Sequence, residues 1–92
     1  MVNNELIKTC EHFRTDLCAH REKLSTMTIG SYMLDKNNKV AGIRLMVNCD
    51  GPDIFINTFF KEIKGVYGDA EVTLCISNEI SKEINEYFNG KI

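Results

Sequence analysis

Asp50-Gly51-Pro52-Asp53-Ile54-Phe55-Ile56-Asn57-Thr58-Phe59-Phe60-Lys61-Glu62-Ile63-Lys64-Gly65-Val66 is the stretch on which the fold turns, because it reads as either strand or helix. Residues 54–60 hold enough β-branched and aromatic side chains for a strand. A proline within the first turn, an aspartate placed to cap, and the ending Lys61-Glu62-Ile63-Lys64-Gly65 favour a helix. Ile56, Phe59, Phe60, Ile63 and Val66 then share one helical face. The helical reading is adopted, with Asp50-Gly51-Pro52-Asp53 as its start. Two aspartates there would repel phosphate, and the chain holds neither a P-loop nor a GxGxxG turn.

Upstream, Leu6, Cys10, Phe13, Leu17 and Leu24 recur at helical spacing, which predicts an amphipathic helix over 4–24 capped by Asn3 or Asn4. Residues 26–34 and 40–49 are strand-like runs joined by Asp35-Lys36-Asn37-Asn38, a β-hairpin signature. Downstream, Ala70, Val72, Leu74 and Ile76 alternate with Glu71, Thr73, Cys75 and Ser77, a half-buried strand. Ser77 or Asn78 caps a last helix with the apolar stripe Ile80, Ile84, Tyr87 and Phe88, and Gly90 stops it. The expected class is α+β, a two-layer α/β sandwich of order α-β-β-α-β-α. Its three-stranded, mainly antiparallel sheet carries the helices on one face. The strand–helix–strand crossover sets the third strand parallel to the second, and it is placed beside the first with antiparallel neighbours.

Ninety-two residues, 43% of them hydrophobic, make one domain spanning 1–92 rather than a disordered chain. Eleven Lys+Arg against 13 Asp+Glu leave a net charge of -2, which gives no basic excess for a nucleic-acid backbone to attract. No apolar run reaches the ~20 residues of a membrane span. Met1-Val2-Asn3-Asn4-Glu5 lacks the features of a signal peptide, so the expectation is a cytoplasmic protein with no membrane partner. The four cysteines, Cys10, Cys18, Cys49 and Cys75, have no CxxC spacing and read as reduced thiols. Spacing leaves a Cys49–Cys75 bridge open.

Helices on one face leave the other face of the sheet open. Alternation assigns Tyr32, Arg44, Met46, Asn48, Thr73 and Cys75 to it, and these are the expected partner-binding residues. His12, Asp16 and His20, at i, i+4 and i+8 on the first helix, are the weak metal-ligand candidates, since neighbours can meet but the outer pair is stretched. No metal or cofactor is expected on these grounds. No GxSxG elbow is present, and Cys10 and Cys18 lie on the apolar stripe, where a thiolate is disfavoured.

The expectation is a non-enzymatic protein-binding module, an inhibitor, immunity-type or adaptor protein that docks on a larger protein. Nine Asn, ten Ile and eight Lys resemble the residue usage of AT-rich genomes, such as many phages and low-GC bacteria have, and point towards a phage or mobile-element protein. One alternative is a small-ligand or metal-sensing domain on the His12/Asp16/His20 face. A second is an RNA-binding sheet face. An exposed strand edge and the stripe on the first helix also permit a homodimer.

Overall fold

The computed structural model describes residues 3–19, 21–47 and 51–92. Helix α1 runs Asn3–Ala19 and a 3-10 helix Arg21–Thr26 follows. Five strands come next: β1 Thr28–Leu34, β2 Val40–Val47, β3 Asp53–Asn57, β4 Glu62–Tyr67 and β5 Ala70–Cys75. Helix α2, Asn78–Phe88, closes the fold. Sheet order is β1-β2-β3-β4-β5 with every pair antiparallel, a meander.

The α+β class stands, but the expected three-stranded α-β-β-α-β-α sandwich does not. The segment taken as the central helix is the β3–β4 hairpin, so the sheet has five strands and no parallel crossover. The reason is a period of two that the aromatic residues hide. Ile54, Ile56 and Ile63 are fully buried, whereas Phe59 and Phe60 are exposed in the connecting turn. Asn57 Oδ1 accepts the Phe60 N–H at 3.1 Å, and Lys61 takes a left-handed φ of 54° where glycine is usual. The hairpin therefore closes without the glycine that would have announced it.

Both helices pack on one face of the sheet, α1 over β4 and β5 and α2 over β2. Leu6, Cys10 and Leu17 from α1, Leu24 behind it, and Ile84 and Phe88 from α2 join Ile43, Leu45, Ile54, Ile56 and Ile63 in one core. Gly65 sets the approach of α1: a Cβ there would lie 2.6 Å from Cys10 Sγ and 3.0 Å from Leu6 Cδ1. Ser77 caps α2, accepting the Ile80 N–H at 3.1 Å, and Gly90 beyond it has φ 80°. The β1–β2 turn is fastened by Asp35 Oδ1, which accepts the N–H groups of Asn37 at 2.8 Å and Lys39 at 3.1 Å.

Polar ties hold the far end of the sheet. The Ile43 N–H donates to Thr58 Oγ1 at 2.8 Å, and that hydroxyl donates to Asn85 Oδ1 at 2.8 Å. Asn85 Nδ2 in turn donates to the Ala41 carbonyl at 3.3 Å. One buried threonine thus locks β2, the β3–β4 turn and α2 together.

Candidate functional site

Directly opposed residues in antiparallel strands share a face, so the register writes out the uncovered side of the sheet. One row runs Thr28, Met46, Phe55, Lys64, Thr73, and the next runs Ser31, Arg44, Asn57, Glu62, Cys75. Asp53, Val66 and Glu71 form a third row beyond Phe55 and Lys64. At the other end Phe59 lies over Gly42, where an added Cβ would be 2.3 Å from the ring. Glycine at that position allows the aromatic ring to lie flat on the backbone.

The face mixes exposed apolar side chains with two cations, Arg44 and Lys64, and three carboxylates, Asp53, Glu62 and Glu71. Phe60 is 75% exposed, Phe59 47%, Met33 55% and Met46 40%. The Arg44 guanidinium sits 5.0 Å from the centroid of the Phe55 ring, a cation–π pair that holds both side chains against the sheet. Lys64 Nζ meets Glu71 Oε1 at 3.3 Å. A shallow depression of about 260 Å³ lies among Arg44, Phe55, Asn57, Phe60, Glu62 and Lys64. A second of about 270 Å³ is lined by Phe59, Met33 and Gly42 among others, and shares Arg44 and Asn57 with the first.

Of the expected partner-binding residues, Arg44, Met46, Thr73 and Cys75 lie on this face. Asn48 falls outside the described residues, as do His20 and Cys49. Tyr32 is corrected: it is exposed but stands opposite Ile43, on the side of the sheet that carries the helices. The register shifts between Ile29 and Ser31, and the extra residue, Gly30, reverses the alternation that had joined Tyr32 to Arg44. Sequence reasoning missed Phe55, Asn57, Phe59, Phe60, Glu62 and Lys64. The alternation of Ile54 and Ile56 with Phe55 and Asn57 was the available signal.

Two of the candidate ligands on α1, His12 and Asp16, lie within reach of each other. His12 Nε2 is 3.5 Å from Asp16 Oδ2, and the same oxygen receives Lys23 Nζ at 2.8 Å. The carboxylate is thus bound by a lysine that fastens the 3-10 helix to α1. Cys10 is buried against the sheet, and that burial pushes its thiol pKa up, away from the thiolate. The Cys75 thiol is exposed and free of any disulfide, and Cys49, its candidate partner, lies outside the described residues.

Among the described residues no helix is long and apolar enough to cross a membrane. No protein-family model, curated protein or solved structure matches this chain.

Proposed function

We propose that this chain is a non-enzymatic protein-binding module, of the inhibitor or adaptor kind, that docks on a larger protein through the open face of its sheet. The observation that carries the reading is Phe60: an aromatic ring 75% exposed at the rim of a concave patch, beside Phe59 and the paired Arg44 and Phe55. Aromatic residues, methionine and arginine are the groups enriched at interface centres, and a large ring offered to water is costly unless something covers it. The partner surface that fits has an apolar pocket for Phe60 and a hydrogen-bond acceptor for the outer edge of Arg44.

Charge weighs against the RNA alternative on the same face. Arg44 is engaged by a ring and Lys64 by Glu71, while Asp53, Glu62 and Glu71 would repel phosphates. The free thiols of Cys10 and Cys75 fit a reducing cytoplasm as the place of action.

The test is affinity capture from a lysate of the native host, wild type against Phe60→Ser and His12→Ala, read by mass spectrometry. A protein retained by wild type and His12→Ala but lost with Phe60→Ser supports the reading. Equal retention by all three chains refutes it.

A further inference from the structure

Bordering the open face across Phe59, an open cavity of about 400 Å³ lies between the β3–β4 turn and α2. That volume falls within the roughly 300–1,000 Å³ range of small-ligand sites. Lys61 enters it from the turn, and Asn78, Ser81, Lys82 and Asn85 from the helix. No carboxylate lines it, in a chain with more acidic than basic residues. Among the described residues neither lysine forms an ion pair.

Two features separate this cavity from an ordinary helix start. Lys61 is held there by backbone that few residues adopt, at φ 54°, with its carbonyl fastened by the Ile76 N–H at 2.8 Å. Ser81 is 96% buried and its hydroxyl has no hydrogen-bond partner, the one such side-chain group among the described residues. It belongs to the stripe of α2 that faces the sheet, with Ile84 and Phe88, and it lies one turn before Asn85. Asn85 is occupied by Thr58 and Ala41, and Ser81, with its unanswered hydroxyl, lines the cavity beside it.

We infer that this cavity is a binding site for a small phosphate monoester, bordering the docking face at Phe59 but not including Phe60. Two ammonium groups match a dianion, which a phosphate monoester is near neutral pH and a carboxylate is not. Lysine binds phosphate as a point charge without a bidentate fork. The positive end of α2 adds to both lysines, and the Ser81 and Asn78 side chains supply neutral hydrogen bonds to oxygens.

The experiment is thermal unfolding of the full chain with inorganic phosphate, β-glycerophosphate, acetate or chloride, at matched ionic strength. Wild type is stabilised by the phosphates above acetate and chloride, rising with the logarithm of ligand over Kd. Lys61→Gln and Lys82→Gln each weaken phosphate binding about tenfold or more, the worth of a hydrogen bond to a charged group. Ser81→Ala raises the melting temperature without ligand yet weakens phosphate binding, opposite signs that a purely structural serine would not give. A stronger response to β-glycerophosphate than to inorganic phosphate marks an organic monoester as the ligand, and equal responses mark the free anion. Equal shifts in all four salts, or a phosphate response that survives Lys61→Gln with Lys82→Gln, overturns the inference. Phe60→Ser leaves the phosphate response intact, so failure of one proposal does not carry the other.

Discussion

Gly65→Ala adds one methyl group where α1 packs closely on β4. The new Cβ would lie 2.6 Å from Cys10 Sγ, 3.0 Å from Leu6 Cδ1 and 3.2 Å from Ile54 Cδ1, and the sulfur contact must open to about 3.4 Å before it is ordinary. All three neighbours are fully buried, so no side chain can swing into solvent, and α1 must lift from β4. Overpacking of this kind costs about 1–3 kcal/mol. In a domain of this size each kcal/mol lowers the melting temperature by about 4–8 °C. Cys10→Ala alone costs about 1 kcal/mol, for a lost sulfur contact and a small cavity. Combined, the added methyl fills the space the sulfur left. The double variant is therefore more stable than the sum of the singles predicts, by about 1–2 kcal/mol. Urea unfolding followed by circular dichroism, with all four chains at one pH, measures the cycle. Strict additivity, or a Gly65→Ala chain as stable as wild type, refutes the packing described for α1.

Other consequences follow from single contacts. Thr58→Val leaves the Ile43 N–H and Asn85 Oδ1 without their partner, and costs about 1–3 kcal/mol by the same unfolding assay. Phe60→Ser removes a ring that is 75% exposed and shifts stability by less than about 0.5 kcal/mol, which separates its effect on capture from any effect on folding. Iodoacetamide at neutral pH modifies Cys75 and spares Cys10 in peptide mass maps, because one thiol is exposed and the other buried with a raised pKa. The Cys10 shift also sets a sign with pH. Its contribution to stability is complete below the unfolded thiol pKa of 9.0 and is lost as pH rises through the higher folded value. Cys10→Ala should therefore flatten the alkaline limb of the stability profile, and an unchanged slope counts against it.

What the sequence made legible was whatever a single local rule decides. The α1 stripe of Leu6, Cys10 and Leu17, the Asx turn at Asp35, the alternation of β5 and the Ser77 cap each need only one periodicity or one side chain, and each is present. The β3–β4 hairpin was hidden because two rules competed. Phe59 and Phe60 completed a helical face with Ile56 and Ile63, and the turn that separates them is made by Asn57 and a left-handed Lys61 rather than by glycine. That error removed Phe55, Phe59 and Phe60 from the open face and left it with one supposed aromatic, Tyr32. The Gly30 bulge then placed Tyr32 on the other side. Arg44, Met46, Thr73 and Cys75 were assigned correctly because strands β2 and β5 keep a strict period of two across those positions.

The central claim is that the working surface is the face on which Arg44, Phe55 and Phe60 converge. It is tested most directly by a chemical-shift map of isotope-labelled protein titrated with the protein captured through Phe60. Amides of β2, β3 and β4 around Arg44, Phe55, Asn57 and Lys64 should shift or broaden first, with those near His12 and Asp16 unmoved. Perturbations centred on α1, with the Phe55 and Phe60 signals unchanged at saturation, would contradict it.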